Sequence, residues 1–356
     1  MASRRTILVT GSGGFIGGRM VEILHRLPDT EVRAGVRRWS GAARIGRFSV
    51  EIVHCEILQP DSLAKALEGV DAVVHCAVGD REVTVRGTEN LLEAAQRANV
   101  QRLVHISTIA VYGEADGVFD EDQPLLSTAG EYGASKVEAE KACWRFIEQG
   151  LPVVILRPTL VYGPFSASWT VEWAQRLQSP PWLLSEQDCR GTCNLLYVDD
   201  LVAAVRLALE RDEAVGQVFN VSGPEQPSWN EYLAALNAAL GLPPLRPQSS
   251  ATSHLSAHLM APVRASAKFL LANFGDAVKA LYDRYALAKT VMRFAERTIK
   301  KTPTTGEFGL LGRSVRFPIT KAETRLGYAP KFSMADGIEL SVAWLRHHGY
   351  HRDGFE

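Results

Sequence analysis

No sign of charge predominates in this sequence: 39 Lys and Arg against 40 Asp and Glu leave a net charge of −1. A near-neutral chain has no whole-molecule field to draw in nucleic acid, so no nucleic-acid partner is expected. No uncharged apolar run reaches the roughly 18 residues that a membrane span requires. Arg4 and Arg5 precede the first apolar run without a signal core, so no leader is expected. Cysteine is scarce. Cys55, Cys76, Cys143, Cys189 and Cys193 are odd in number and form no paired framework, which fits reduced thiols and a cytoplasmic protein. Cys189 and Cys193 lack a second Cys/His pair at ligand spacing, so no metal site is expected. What is present is 46% hydrophobic residues in 356, enough for one large α/β domain with an appended lobe.

The most informative stretch lies at the start. Thr6-Ile7-Leu8-Val9 reads as a buried strand, and glycines follow at Gly11, Gly14 and Gly17. Met20, Val21, Ile23, Leu24 and Leu27 then recur at helical spacing. A strand turning sharply into a helix presents free backbone N–H groups and the positive end of the helix dipole, a ready seat for a pyrophosphate. Gly11 permits the turn, Gly14 lets backbone approach phosphate, and Gly17 lets helix and strand pack closely. Gly11, Gly14, Phe15 and Ile16 are the cofactor-binding candidates here.

Strand two spans Glu31 to Val36 and ends in Arg37-Arg38. An acid at that point would bond a ribose 2′-hydroxyl; two arginines instead suit a 2′-phosphate, which favours NADP and leaves NAD as the alternative. Strand three, 50–55, is followed by Glu56 and Ile57 beside the expected adenine edge. A helix is expected over 61–67. Strand four, 71–77, ends in Cys76 and Ala77, small enough to leave room for a cofactor. A helix is expected over 88–98, and strand five over 103–107. This alternation predicts a doubly wound parallel sheet of Rossmann type, with ligands at the carboxyl ends of its strands.

Thr108 ends strand five. Tyr132 and Lys136, four apart in Tyr-Gly-Ala-Ser-Lys, share one face of the next helix. A phenol of pKa about 10 is a poor base at neutral pH. A neighbouring ammonium and the positive nicotinamide ring would lower that pKa and make Tyr132 a general acid/base, with Thr108 holding the substrate oxygen; Lys136 can also bond the nicotinamide ribose, so Tyr132 and Lys136 are cofactor-binding candidates as well.

At these residues the sequence resembles the extended short-chain dehydrogenase/reductase family, which contains nucleotide-sugar epimerases and dehydratases. Thr10 to Gly17 resembles its cofactor loop, and Ser107 to Gly113 its strand-five signature with Thr108 in the hydroxyl place. Tyr132 and Lys136 match its catalytic pair. Leu156 to Pro164 resembles its strand-six segment, whose backbone, including Pro158 and Val161, runs beside the nicotinamide. Tyr197 to Ala204, Val218 to Ser222 and Lys321 to Pro330 resemble later segments. The resemblance implies a homodimer joined through the helices after strands four and five.

The departures narrow the chemistry. Ile109 and Ala110 stand where 4,6-dehydratases carry an Asp-Glu pair, so dehydration is not expected. Thr84 replaces a frequent asparagine. Cys193 falls where sugar-nucleotide enzymes often carry an arginine for the diphosphate, and Trp169-Thr170 lie near the place of a diphosphate-binding asparagine. These losses count against a nucleotide sugar.

Residues 1–164 and 196–222 are therefore expected to form the dinucleotide-binding domain. Residues 165–195 and 223–356 are expected to form a smaller, mostly helical substrate lobe. Ser228 is a natural N-cap for a helix through Leu240, and 246–254 reads as a linker. A long helical insertion follows over 256–301. Val278, Leu281, Tyr282, Tyr285, Met292 and Ile299 form its apolar stripe; Lys279, Arg284, Lys289, Arg293, Arg297, Lys300 and Lys301 form its basic face. A cap helix over the substrate is expected, peripheral membrane contact through 262–301 is a second reading, and a partner-binding helix is a third. Three functions stay open: an NADP-dependent oxidoreductase acting on a secondary alcohol or ketone, a nucleotide-sugar epimerase with retained NAD, and a non-catalytic NADP sensor.

Overall fold

The structure, a computed structural model, describes residues 4–126, 130–285, 289, 292, 298, 299 and 301–350. The chain divides into two compact units. One comprises Met1–Ala167, Asn194–Gln226 and Val315–Gly337; the other comprises Ser168–Cys193, Pro227–Ser314 and Ile338–Glu356.

The first unit is built on seven parallel strands: β1 (Arg5–Thr10), β2 (Thr30–Val36), β3 (Glu51–His54), β4 (Ala72–His75), β5 (Arg102–Ile106), β7 (Val153–Pro158) and β10 (Val218–Val221). Two short pairs lie outside this sheet, β6 (Gly117–Val118) with β11 (Val315–Arg316) and β8 (Leu160–Tyr162) with β9 (Leu195–Tyr197). The sheet order is β10-β7-β5-β4-β1-β2-β3, so the winding reverses between β1 and β4. Buried on both faces, the strands are near-continuously apolar, as in Ala72-Val73-Val74 and Val153-Val154-Ile155. Leu8, Val73, Leu103, Val153 and Ile155 meet residues of α2 (Pro60–Ala66), α3 (Arg81–Arg97) and α4 (Gly130–Glu148) in one core. Strand residues alternate in direction, which leaves the other face to α1 (Phe15–Leu24) and α6 (Val198–Glu210), packed against each other. Because every strand runs the same way, their carboxyl ends share one edge of the sheet.

Several boundaries differ from expectation for local reasons. α1 stops at Leu24 rather than Leu27; Pro28 disfavours helical backbone at the residue before it. α3 begins seven residues before Thr88 because the Asp80 carboxylate accepts the Val83 N–H and caps it there. Residues 315–337, expected in the second lobe, belong to the first unit. There the Asp200 carboxylate accepts the backbone N–H groups of Lys331 and Phe332, and the Tyr328 hydroxyl donates to the Ser222 carbonyl at 3.0 Å.

In the second unit, Ser228 and Glu231 form the expected capping box of α7 (Trp229–Ala239). α5 (Glu172–Leu177) and α7 pack together. The expected linker 246–254 is instead partly helical. The Ser249 hydroxyl accepts the Thr252 N–H at 3.2 Å, and α8 (Ser250–Arg284) starts beyond it. Of the expected basic face, Arg293, Arg297 and Lys300 lie outside the described residues. All five cysteines are free thiols. Among the described residues no helix is long and apolar enough to cross a membrane, and no His/Cys/Asp/Glu cluster could hold a metal.

Candidate active site

The turn from β1 into α1 is held by its glycines. Gly11 adopts φ +67°, and a side chain there would press on the Ala77 backbone at 2.8 Å. A Cβ on Gly17 would overlap the Gly11 carbonyl. Gly14, the N-cap of α1, brings no side chain to the helix end, and the first turn contains no acid. The end of the helix thus keeps its positive potential for an external anion.

Beside this turn lies a cavity of about 480 Å³. Among the residues that line it are Gly11, Gly14, Arg37, Arg38, Glu56, Ile57, Cys76 and Ala77, eight of the twelve expected to bind cofactor besides the catalytic pair. Arg37 and Arg38 are exposed, and no ion pair among the described residues engages either. Phe15, Ile16, Pro158 and Val161 do not line the cavity. The first two open α1, Pro158 ends β7 opposite Val221, and Val161 is buried in β8 opposite Leu196. An uncapped helix end, a glycine cradle and two free guanidinium groups at a cavity of this size fit a dinucleotide.

Sequence reasoning missed part of this wall. Gly13, Ser40, Gly41, Gly79 and Val83 also line it. Gly13 and Gly41 pass backbone to backbone: a Cβ on Gly13 would lie 2.8 Å from the Gly41 oxygen. Arg44 donates to the Gly14 and Phe15 carbonyls at 3.1 Å and stacks on Phe165 with its carbon 3.8 Å from the ring centroid. The signal was the small pair Ser40-Gly41, separated from the two arginines only by Trp39.

A buried histidine ties β1, β4 and α3 together. His75 Nδ1 lies 2.8 Å from Thr10 Oγ1, and Nε2 lies 3.0 Å from Thr88 Oγ1. Thr88 gives its own proton to the Thr84 carbonyl at 2.6 Å, so it must accept from Nε2–H, which leaves Nδ1 to accept from Thr10. Burial, with the Lys136 charge adding to it, pushes the His75 pKa down to about 3, so the ring is neutral at working pH.

At the carboxyl end of β5, Thr108 Oγ1 accepts the Ala110 N–H at 3.2 Å. The Thr108 hydroxyl also hydrogen-bonds the Tyr132 phenol. Tyr132 is 50% exposed, in the first turn of α4. Lys136, one turn on, is buried and donates from Nζ to the Ile106 carbonyl at 2.8 Å. The structure therefore gathers all three residues where β5 meets α4. It corrects the electrostatic expectation. Burial raises the Tyr132 pKa above 10, the Thr108 hydrogen bond opposes that rise, and the amine's contact is with backbone. Lys136 itself is pushed down to about 8 by burial, against the pull of Cys76, Cys143 and Glu140.

This shift has a measurable consequence. Between pH about 8 and 10.5 the unfolded lysine keeps a proton that the folded one has lost, so stability rises with pH across that window. The cost of burying the charge is fully present below about 8. In the ligand-free protein, the denaturation midpoint measured near pH 7 and near pH 10 should rise further in the wild type than in Lys136→Met. Equal pH responses in the two proteins would contradict this account.

A second buried system, also missed, supports the site. Glu140 and Arg157 are almost wholly enclosed. Arg157 grips Glu140 bidentately, Nε to Oε1 at 3.0 Å and Nη2 to Oε2 at 2.7 Å, and Ser107 Oγ donates to the same carboxylate. Arg157 Nη1 donates to the Tyr112 hydroxyl at 2.8 Å, and that hydroxyl donates to Asn220 Oδ1 at 2.8 Å. The chain of bonds ties α4, one turn beyond Lys136, to β7, β10 and the segment after β5. The legible signal was a Glu four residues after Lys136 and an Arg inside an apolar strand.

Comparison with known proteins agrees with this architecture. UDP-glucose 4-epimerase of Vibrio cholerae is 31% identical over 256 residues, covering 67% of this chain and 77% of that protein. Cinnamoyl-CoA reductase 1 of Petunia hybrida is 32% identical over 245 residues, covering 60% of this chain and 72% of that one. A UDP-glucuronic acid 4-epimerase from Bacillus cereus, solved with NAD, superposes with a TM-score of 0.70 at 22% identity over 96% of this chain and 99% of its own, a likeness of fold. The model of the NAD dependent epimerase/dehydratase family matches residues 7–222, and the chain belongs to that family of NAD-dependent enzymes of extended short-chain dehydrogenase/reductase type.

Proposed function

We propose that this enzyme is an oxidoreductase selective for NADP, acting on a secondary alcohol or ketone. The observation that carries the cofactor choice is Arg37 and Arg38, exposed on the cavity wall just beyond β2 without carboxylate partners among the described residues. The glycine turn and the end of α1 would hold the pyrophosphate, and the two guanidinium groups the 2′-phosphate. The bound nicotinamide supplies hydride exchange with the substrate carbon. Thr108 holds the substrate oxygen, and Tyr132 gives or takes the proton on that oxygen. Lys136 keeps the strand end and the Tyr132 helix in register through Ile106. The second unit serves as the substrate lobe, and the protein works in the cytoplasm as a homodimer through α3 and α4. Sedimentation velocity at twice the chain mass would support that dimer.

Titration with NADPH and NADH tests the reading. Wild-type protein should bind NADPH more tightly. Arg37→Ala with Arg38→Ala should weaken NADPH by about 10- to 100-fold, the worth of losing charge-assisted bonds to one phosphate, and change NADH little. A wild type that binds NADH as tightly as NADPH defeats it.

The second reading is an epimerase retaining NAD, favoured by the likeness to UDP-glucose 4-epimerase. Against it, Cys193 is fully buried and brings no charge to a diphosphate. NAD surviving purification, with stabilisation by a uridine diphosphate, would favour this second reading.

A further inference from the structure

α8 turns its large apolar side chains outward. Ser253 and Ala257 are fully buried, and Met260, Arg264 and Ala267 are partly so. Their spacing of three and four residues defines the face that packs on the second unit. That face is built mostly of small residues. Leu255, Leu259, Val263, Phe269, Leu270 and Phe274 are all exposed, from 45% for Val263 to 66% for Leu259. At about 100° per residue Leu255, Leu259, Val263, Phe269 and Leu270 share an arc of about 120° opposite the packed face, and Phe274 is exposed at the kink that follows. A helix that only covered its own core would place the large apolar residues inward. Among the described residues the outward face is thus an unpartnered apolar surface of a kind that marks an interaction site.

Charge identifies the partner. Residues 250–301 hold nine Lys or Arg and three Asp or Glu, a net +6, whereas the rest of the chain carries −7. A basic segment with leucine and phenylalanine on one exposed face matches the interfacial membrane helix, whose apolar side sinks into the headgroup boundary while lysine and arginine meet anionic lipid. An isologous contact between two copies of this helix would set +6 against +6. No helix among the described residues can span a bilayer, so the contact is with its surface.

We propose that α8 forms a docking surface for anionic phospholipid membranes, with Leu255, Leu259, Val263, Phe269, Leu270 and Phe274 entering the interface.

The test is flotation of the full-length protein with vesicles of phosphatidylcholine, alone or with about one third phosphatidylglycerol, at low and high salt. Binding should require phosphatidylglycerol and weaken with salt. Leu259→Ser with Phe269→Ser should lower vesicle affinity by roughly tenfold or more, since each side chain loses its burial in the interface. Both positions are exposed, so the thermal melt of the variant should match the wild type; if it does not, Leu255→Ser with Val263→Ser takes its place. Failure to float with anionic vesicles, or unchanged affinity in a folded variant, overturns the proposal. Self-association that the same substitutions abolish, without vesicle binding, also overturns it and assigns the face to a second copy.

Discussion

Tyr132→Phe is expected to lower turnover by about 10²- to 10⁴-fold, the range that positioned proton transfer contributes, while dinucleotide affinity stays within about twofold. The substitution removes one hydroxyl from a residue that is half exposed, and the Ser135 hydroxyl still donates to the residue 132 carbonyl at 2.8 Å. No core packing is lost, so the thermal melt should not move. An unchanged fold with lost turnover isolates the proton step. Burial raises the phenol's pKa in the ligand-free protein, and the Thr108 hydrogen bond alone opposes it. Thr108→Val should therefore shift the basic limb of the kcat/KM profile to higher pH as well as lower its height, because the bond that favours the phenolate is gone. Wild-type turnover in Tyr132→Phe would remove the residue from the mechanism.

The parts of this molecule legible in the sequence are those fixed by local chemistry. Gly11, Gly14 and Gly17 between an apolar strand and an amphipathic helix could serve little else, and the strand ends Arg37, Glu56, Cys76 and Thr108 follow from counting along a parallel sheet. What stayed hidden depends on convergence over long separations. Arg44 reaches back 30 residues to the Gly14 carbonyl. Arg157 meets Glu140 across 17 residues and Tyr112 across 45, which no periodicity encodes. The start of α3 turned on a single cap, Asp80, set outside the apolar pattern. The phenol's pKa was misjudged for a related reason. Spacing places Tyr132 and Lys136 on one helix face, but only the fold shows the amine drawn to Ile106.

Glu140→Ala is expected to destabilise the protein by about 3–5 kcal/mol, the cost of leaving a buried charge without its partner. Arg157 is held where water does not reach, and alanine would strip it of its bidentate carboxylate and Ser107 of its acceptor. The denaturant midpoint should fall with the slope unchanged, the mark of lost stability and not of a less compact unfolded state. Glu140→Gln keeps an acceptor for Ser107 but not the charge, and should fall between the two. Because α4 carries Tyr132, Lys136 and Glu140 on successive turns, a Glu140 variant that still folds should also lose turnover at temperatures well below its melt. Its kcat should fall more than its dinucleotide affinity, since the cavity beside α1 is walled by other elements. A loss below about 1 kcal/mol would mean that Arg157 finds solvent or a new acceptor, and the bond chain from α4 to β10 would then be a consequence of the fold and not one of its supports.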